Sequence, residues 1–218
     1  AVSYREDPSE LLLIRADAVD EKQKFSLKKN AVVGTSSSRR KAQLLALRPD
    51  VTMEELRGNV PTRVQKLKEK KYDAIMLAAA GVERLELDME GLHVEKINPK
   101  EFIPAPAQGV LALQIREGDK DLFRKLSELN DIDVQKTIEV ERKVLNLFDG
   151  GCQLPLGVYC EAEEDNDSGE TIYKTWVSKA EAWDKHPRYF YFESKRAEGF
   201  AEKIVEKINS QKPASVFI

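Results

Sequence analysis

The feature that most constrains the fold is a near-continuous apolar run over residues 72–79, YDAIMLAA. A strand that is apolar on both sides needs cover on both faces, as in a parallel sheet held between helices. Shorter strand-like runs precede it at 11–14, 31–33 and 51–56, the last with Met53 as an apolar element. Helical patterns separate them. GTSSS turns the second run into a helix over 39–47, and Pro61 sits near the first helical position of a helix over 62–70. Val64 and Leu67 form that helix's inner side, and Gly81 opens a short helical stretch through Arg84 and Leu85. Residues 16–30 read as a loop anchored by Phe25 and Leu27. This alternation predicts an α/β domain with a mostly parallel sheet.

The pattern breaks at 103–109, IPAPAQG, which reads as a hinge. Beyond it the sequence predicts a strand at 110–115, helices at 119–129 and 134–148, strands at 171–178 and 189–193, and a helix at 200–208. Tyr173, Trp176 and Phe190 are the large residues of those alternating strands. The second half is therefore a small α+β domain. Its first long helix, with Ile138, Val144, Leu145 and Phe148 at helical spacing, stops at Asp149-Gly150-Gly151, where glycine is the usual terminator. Pro155 and Gly157 keep the next segment a loop. The result presents Cys152 on a constrained turn. The local pattern alone fits a small buried hydrophobe or a reactive thiol equally well.

A net charge of −3 gives no nucleic-acid footprint. No apolar run approaches the roughly 20 residues that cross a bilayer, and nothing in the sequence points to export. Cys152 and Cys160 are too far apart for a redox or zinc pair, and His93 and His186 stand in unrelated contexts, so no metal site is expected. The compartment reads as cytoplasmic and reducing. The chain opens AVSYREDPSE, without methionine, and reads as a fragment of something longer.

Five arginines point to the chemistry. Arg39 and Arg40 fall in the first turn of the helix after GTSSS, where cations oppose the helix dipole. Free backbone N–H groups, Thr35, Ser36 and Ser37 add donors there, which suits an anion. Solvated arginines beside a serine cap would give the same local sequence. The pattern recurs, however: Arg57 and Arg63 bracket the next strand-to-helix turn, and Arg84 comes after the apolar strand. In open parallel sheets the ligand crevice lies beyond the strands' carboxyl ends. Several guanidinium forks facing one crevice suit a ligand with multiple carboxylates. The chain lacks a Walker loop and GxGxxG, which argues against a nucleotide.

VVGTSSSRRKAQL, LRGNVPTRVQKL, YDAIMLAAAGVERL, IPAPAQGVLALQIR and ERKVLNLFDGGCQLPLG, in that order, resemble the porphobilinogen deaminase (hydroxymethylbilane synthase) family. The resemblance runs from about Arg5 to the C-terminus. It implies a transferase that joins four porphobilinogen units into linear hydroxymethylbilane, with loss of ammonia, in tetrapyrrole and haem biosynthesis. It implies a periplasmic-binding-protein-like parallel or mixed sheet domain plus a small α+β C-terminal domain. By position in the motifs, Cys152 would carry a covalent dipyrromethane cofactor. Arg39, Arg40, Arg57, Arg63 and Arg84 would bind cofactor and substrate carboxylates, helped by Thr35, Ser36 and Ser37. Gln108 and Gly109 would lie at the hinge.

The resemblance also implies a division. Residues 1–104 would be the second α/β domain with its preceding hinge segment, 105–130 the hinge and returning piece of a first domain, and 131–218 the C-terminal domain. Two departures stand out. Ala107 replaces a usual glycine, and the family's N-terminal segment, with its catalytic aspartate, does not precede Ala1. No catalytic residue is therefore assigned in this chain, which is expected to be inactive alone. Expected partners are porphobilinogen, the growing oligopyrrole and the N-terminal segment, with neither nucleic acid nor membrane, and a monomeric full-length protein. The rival reading is a non-catalytic carboxylate-binding module of solute-binding type, which has no need of a positioned thiol.

Overall fold

The computed structural model describes residues 1–149, 154–166 and 168–211. The first half forms a five-stranded sheet in the order β3-β2-β4-β1-β5. Its strands are β1 (Glu10–Arg15), β2 (Val32–Gly34), β3 (Thr52–Glu54), β4 (Ala74–Ala78) and β5 (Leu92–Ile97). Helices α1 (Ser38–Leu47), α2 (Val60–Lys68) and α3 (Ala79–Glu83) come after β2, β3 and β4.

The apolar runs behave as their pattern requires. Leu12, Ile14, Val33, Ala74 and Met76 pack on one face with Leu44 of α1, while Leu11, Leu13, Ile75 and Leu77 pack on the other with Val64 and Leu67 of α2. Both faces of β1 and β4 are thus dry, which is why neither run alternates with polar residues. Phe25 and Leu27 anchor their loop as expected, both buried.

The sheet is mixed rather than mostly parallel. β2 pairs in parallel with β3 and β4, but β1 runs antiparallel to both β4 and β5. This reversal brings the start of β1 to the end of the sheet where β4 finishes, and Glu10 sits opposite Ala78. Gly81 lies inside α3 rather than opening it. The expected strand at 110–115 does not form. Its only ladder contact among the described residues is an isolated bridge from Ala112 to Val2, and Leu111 and Leu113 stay exposed. A strand needs a neighbour for its backbone groups, and residues 1–3 supply only a fragment of one.

The second half is an antiparallel sheet of β6 (Leu156–Glu164), β7 (Thr171–Lys179) and β8 (Arg188–Ser194). α4 (Lys120–Ser127) precedes it and buries no residue. α5 (Ile132–Leu147) and α6 (Phe200–Ser210) cover one face, where Val140, Val144, Val158, Val177, Ile204 and Ile208 form the core. Asp149 is the left-handed residue after α5, with φ 51°. Gly157 belongs to β6, not to a loop. A Cβ there would stand 2.5 Å from the Ile103 carbonyl, so the glycine permits a close backbone crossing.

That crossing joins the two halves. Val158 N donates to Pro104 O (3.0 Å). Glu141 of α5, fully buried, accepts from Arg5 Nη1 (2.6 Å), Ala107 N (2.6 Å) and Cys160 N (2.7 Å). Burial raises its carboxyl pKa, against the opposing pull of the Arg5 charge and the two amides. Gly109 adopts φ 88° where a Cβ would run into the Glu6 carbonyl.

Ala107, beside it, also sits at positive φ, 61°. Left-handed backbone costs an L-residue about 1–2 kcal/mol, and glycine's extra unfolded-state freedom returns about 0.5–1 kcal/mol of that. Ala107→Gly should therefore leave stability unchanged or raise it by up to about 1 kcal/mol, read as an upward shift of the urea midpoint at constant slope. A clear drop in midpoint would contradict this.

Candidate functional site

The strand ends of β2, β3 and β4 deliver the five arginines to one end of the sheet, but the structure gives them different situations. Ser37 caps α1, its Oγ accepting from Arg40 N (3.4 Å), and Asn59 caps α2 through Thr62 N (3.0 Å). Arg39 and Arg40, in the first turn of α1, are both buried. They flank the fully buried Glu10 carboxylate: Arg39 Nη2 lies 2.5 Å from Oε1, and Arg40 Nε and Nη2 lie 2.9 and 2.8 Å from Oε2. Arg39 Nη1 also donates to Ile103 O (2.8 Å), and Arg40 Nη1 to Met76 O (3.2 Å).

Glu10 explains how two cations are tolerated at a helix N-terminus. Burial alone would push its carboxyl upward, but the charges of Arg40 and Arg39 and their hydrogen bonds bring it below its ordinary value. Burial also lowers the Arg39 guanidinium, with Glu10 opposing and Arg40 adding to the effect. The cluster holds two positive charges against one negative charge.

Arg40 and Arg63 line one cavity of about 520 Å³, with Gly58, Asn59, Leu77 and Gly81 among its other walls. Arg63 Nε donates to Gly58 O (2.7 Å), and among the described residues its guanidinium has no carboxylate partner. Burial first, then the Arg40 charge, lowers its pKa. Each effect marks a place where a bound anion would be favourable.

The remaining candidates lie around this pair. Arg84 holds the hinge instead, with Nε on Glu6 Oε1 (2.9 Å) and Nη2 on Gly109 O (3.4 Å). Arg57 projects into solvent, its side chain 86% exposed, with Glu55 4.0 Å away. Thr35 is buried and accepts from Ser37 N (3.2 Å), while Ser36 donates to Leu56 O (2.8 Å). Gln108 links hinge to cluster, its Nε2 donating to Pro8 O (2.7 Å) and its Oε1 lying 3.5 Å from Arg39 Nη2. Cys152 falls outside the described residues. Cys160 is buried in the second core, and burial pushes its thiol up to about 12. No group of His, Cys, Asp and Glu able to hold a metal occurs among the described residues.

Residues 1–124 match the family model described as porphobilinogen deaminase, dipyromethane cofactor binding domain. That is more than half of the 218 residues. The chain belongs to the porphobilinogen deaminase family. Residues 135–184 match the porphobilinogen deaminase C-terminal domain. A curated porphobilinogen deaminase from Bacillus thuringiensis (strain Al Hakam) is 46% identical over 140 residues, covering 64% of this chain and 45% of the relative. One from Oceanobacillus iheyensis is 42% identical over 164 residues, covering 71% of this chain and 53% of the relative. The chain thus spans about half the length of the curated relatives it matches.

Among solved structures, a Salmonella typhimurium periplasmic binding protein with high arginine specificity aligns over 63% of this chain and 59% of its own. At 13% identity and a TM-score of 0.37 that likeness is too loose to bear on fold or function. Family members of this kind are transferases that carry a dipyrromethane-binding domain, and here that domain contains the Glu10–Arg39–Arg40 cluster.

Two members of this constellation escaped the sequence reading. Glu10 was hidden by the strand direction, since a mostly parallel sheet would have put it at the far end. Glu141 looks like any helix-surface glutamate in IEVERKVL. A carboxylate opening an otherwise apolar run (SELLLI) was the one available signal for the first.

Proposed function

We propose that these 218 residues supply the carboxylate-binding and thiol-bearing part of a hydroxymethylbilane synthase. The whole enzyme joins four porphobilinogen units into linear hydroxymethylbilane with release of ammonia, in the cytoplasm, for tetrapyrrole and haem biosynthesis. The observation that carries the reading is the cavity shared by Arg40 and Arg63, with a half-buried guanidinium that faces no carboxylate among the described residues.

A dipyrromethane fits this donor set, because its acetate and propionate groups are what two facing guanidiniums bind best. Arg40 and Arg63 would hold those carboxylates directly, and Arg39 would support Arg40 through Glu10. Ser36 and the exposed Arg57 would meet substrate carboxylates at the rim. Cys152 would provide the thioether sulfur. When bound, the cofactor supplies a fixed primer to which the pyrrole units are joined.

The chain's own contribution is positional. It holds anions against oriented cations in a partly desolvated crevice, where such interactions are stronger than in water. The hinge at 103–109, tied to both halves through Arg5, Gln108 and Glu141, would set the distance between the crevice and the thiol segment. This supports the division into 1–104, 105–130 and 131–218. Porphobilinogen, the growing oligopyrrole and the N-terminal part of the longer relatives are the proposed partners, in a monomeric full-length protein.

The test is turnover. Purified chain incubated with porphobilinogen should bind without forming tetrapyrrole, and should form it only when the separately made N-terminal segment is added. Robust synthesis by the 218 residues alone would overturn the proposed division of labour.

A further inference from the structure

A second basic cavity, of about 610 Å³, lies in the C-terminal half, between the end of β7, the start of β8 and the end of α6. Lys179, Lys185, His186 and Arg188 line it together with the apolar Phe190 and Ile208. Glu181 also borders it. We propose that this cavity is a second binding site for a carboxylate-bearing pyrrole. The inference rests on the Arg40–Arg63 cavity being the first such site.

Three observations carry it. The first is charge without a partner: among the described residues, Lys179, Lys185 and Arg188 make no ion pair, although Lys68, Lys143, Lys174 and Lys195 elsewhere each sit against a carboxylate. The second is that two of these cations are held in place. The Arg188 guanidinium stacks 4.9 Å from the Phe190 ring, with Nη2 3.5 Å from Gln211 Oε1, and Lys179 Nζ stands 5.1 Å over the Phe148 ring. Cations fixed on aromatic faces keep their outer N–H groups free for an anion.

The third observation is position. Lys179 pairs with Leu156 at the first residue of β6, and Ala180 N donates to Pro155 O (3.0 Å). Phe148 and Pro155 each lie one residue beyond Asp149 and Leu154, the described flanks of the segment that contains Cys152. The cavity therefore borders described residues close in sequence to Cys152 on both sides.

The lining sets the chemistry of the ligand. Phe190 and Ile208 supply apolar surface for the pyrrole ring, and Lys179, Lys185 and Arg188 supply cations for its acetate and propionate. Each pyrrole unit joined brings two further carboxylates, so a lengthening chain needs more positive charge than Arg40 and Arg63 provide. The same chemistry is offered by free porphobilinogen and by the outer unit of the chain.

The experiment titrates porphobilinogen into the purified chain by calorimetry. Wild type should take up two equivalents. The double variant Lys185→Glu, Arg188→Glu should bind one of them at least tenfold more weakly, and Arg63→Leu should lose the other. Lys185 is exposed, so Lys185→Glu alone, with an unchanged melting temperature, should move the same equivalent in the same direction. Succinate, which has the charges without the ring, should compete poorly at this site. Both equivalents persisting in the double variant, or succinate matching porphobilinogen, would overturn the proposal.

In the full-length enzyme, covalent intermediates separated by anion exchange distinguish the sources. Build-up of later intermediates in the double variant assigns the cavity to the growing chain, and a shift confined to substrate saturation assigns it to free porphobilinogen. If Arg63→Leu alone leaves binding intact, the reading of the first cavity fails while this equivalent still stands or falls with Lys185 and Arg188.

Discussion

Glu10→Ala should destabilise the chain by about 3–5 kcal/mol, because it leaves the Arg39 and Arg40 guanidiniums buried without their shared carboxylate. Few single changes in this chain should cost as much. The same contact gives acid sensitivity with a definite sign. Burial works against the Glu10 charge, but Arg40 and Arg39 win and hold the carboxyl below its ordinary 4.5. Its contribution is therefore complete above the unfolded-state value and is lost as the pH falls through the lower folded-state value. Glu10→Gln should flatten that limb: less stable than wild type at neutral pH, it should lose less on going from pH 5 to pH 3. Equal slopes for the two proteins would show that Glu10 does not titrate as described. Glu141 contributes with the opposite sign, since its raised carboxyl favours the folded state below the ordinary value and loses that advantage as the pH rises.

Cys152→Ser, in a protein of the relatives' full length, should abolish the pyrrole adduct, whereas Cys160→Ser should keep it. The expectation for Cys152 rests on GGCQLPLG and lies outside the described residues. The expectation for Cys160 rests on structure. Its thiol is buried, and the burial pushes its pKa up to about 12, so the thiolate fraction at neutral pH is negligible. Peptide mapping decides between them: an adduct on Cys160, or one surviving Cys152→Ser, contradicts the assignment.

The parts of the fold legible in the sequence were those set by local pattern. Both-sided burial of β1 and β4 comes from unbroken apolar runs, and the α1 and α2 starts were marked by the serines of GTSSS and by Pro61, whereas the Asn59 cap went unread. Strand direction is a tertiary property, so nothing in ELLLIR announces that β1 runs against its neighbours. β5, an edge strand reading LHVEKI, mixes charge with half-buried positions and carries too weak an alternation to stand out. β6 was obscured by Pro155 and Gly157, whose meaning comes from the crossing at Ile103.

The site was legible to the same degree. Position after the strands pointed to the end of the sheet where Arg40 and Arg63 line one cavity. It could not show that Arg39 turns inward to Glu10, that Arg84 is committed to Glu6, or that Arg57 faces solvent, because each outcome depends on a partner distant in sequence.

The central claim is that the Arg40–Arg63 cavity holds pyrrole carboxylates. Its most direct test is cofactor loading of full-length Arg63→Leu, read by intact mass and an aldehyde colour reaction for pyrroles beside the unfolding midpoint. Loss of one charge-assisted bond, on the order of 1.5–3 kcal/mol, predicts a folded protein with a near-native midpoint and a largely missing or slowly acquired pyrrole mass. Full loading at the wild-type rate would contradict it.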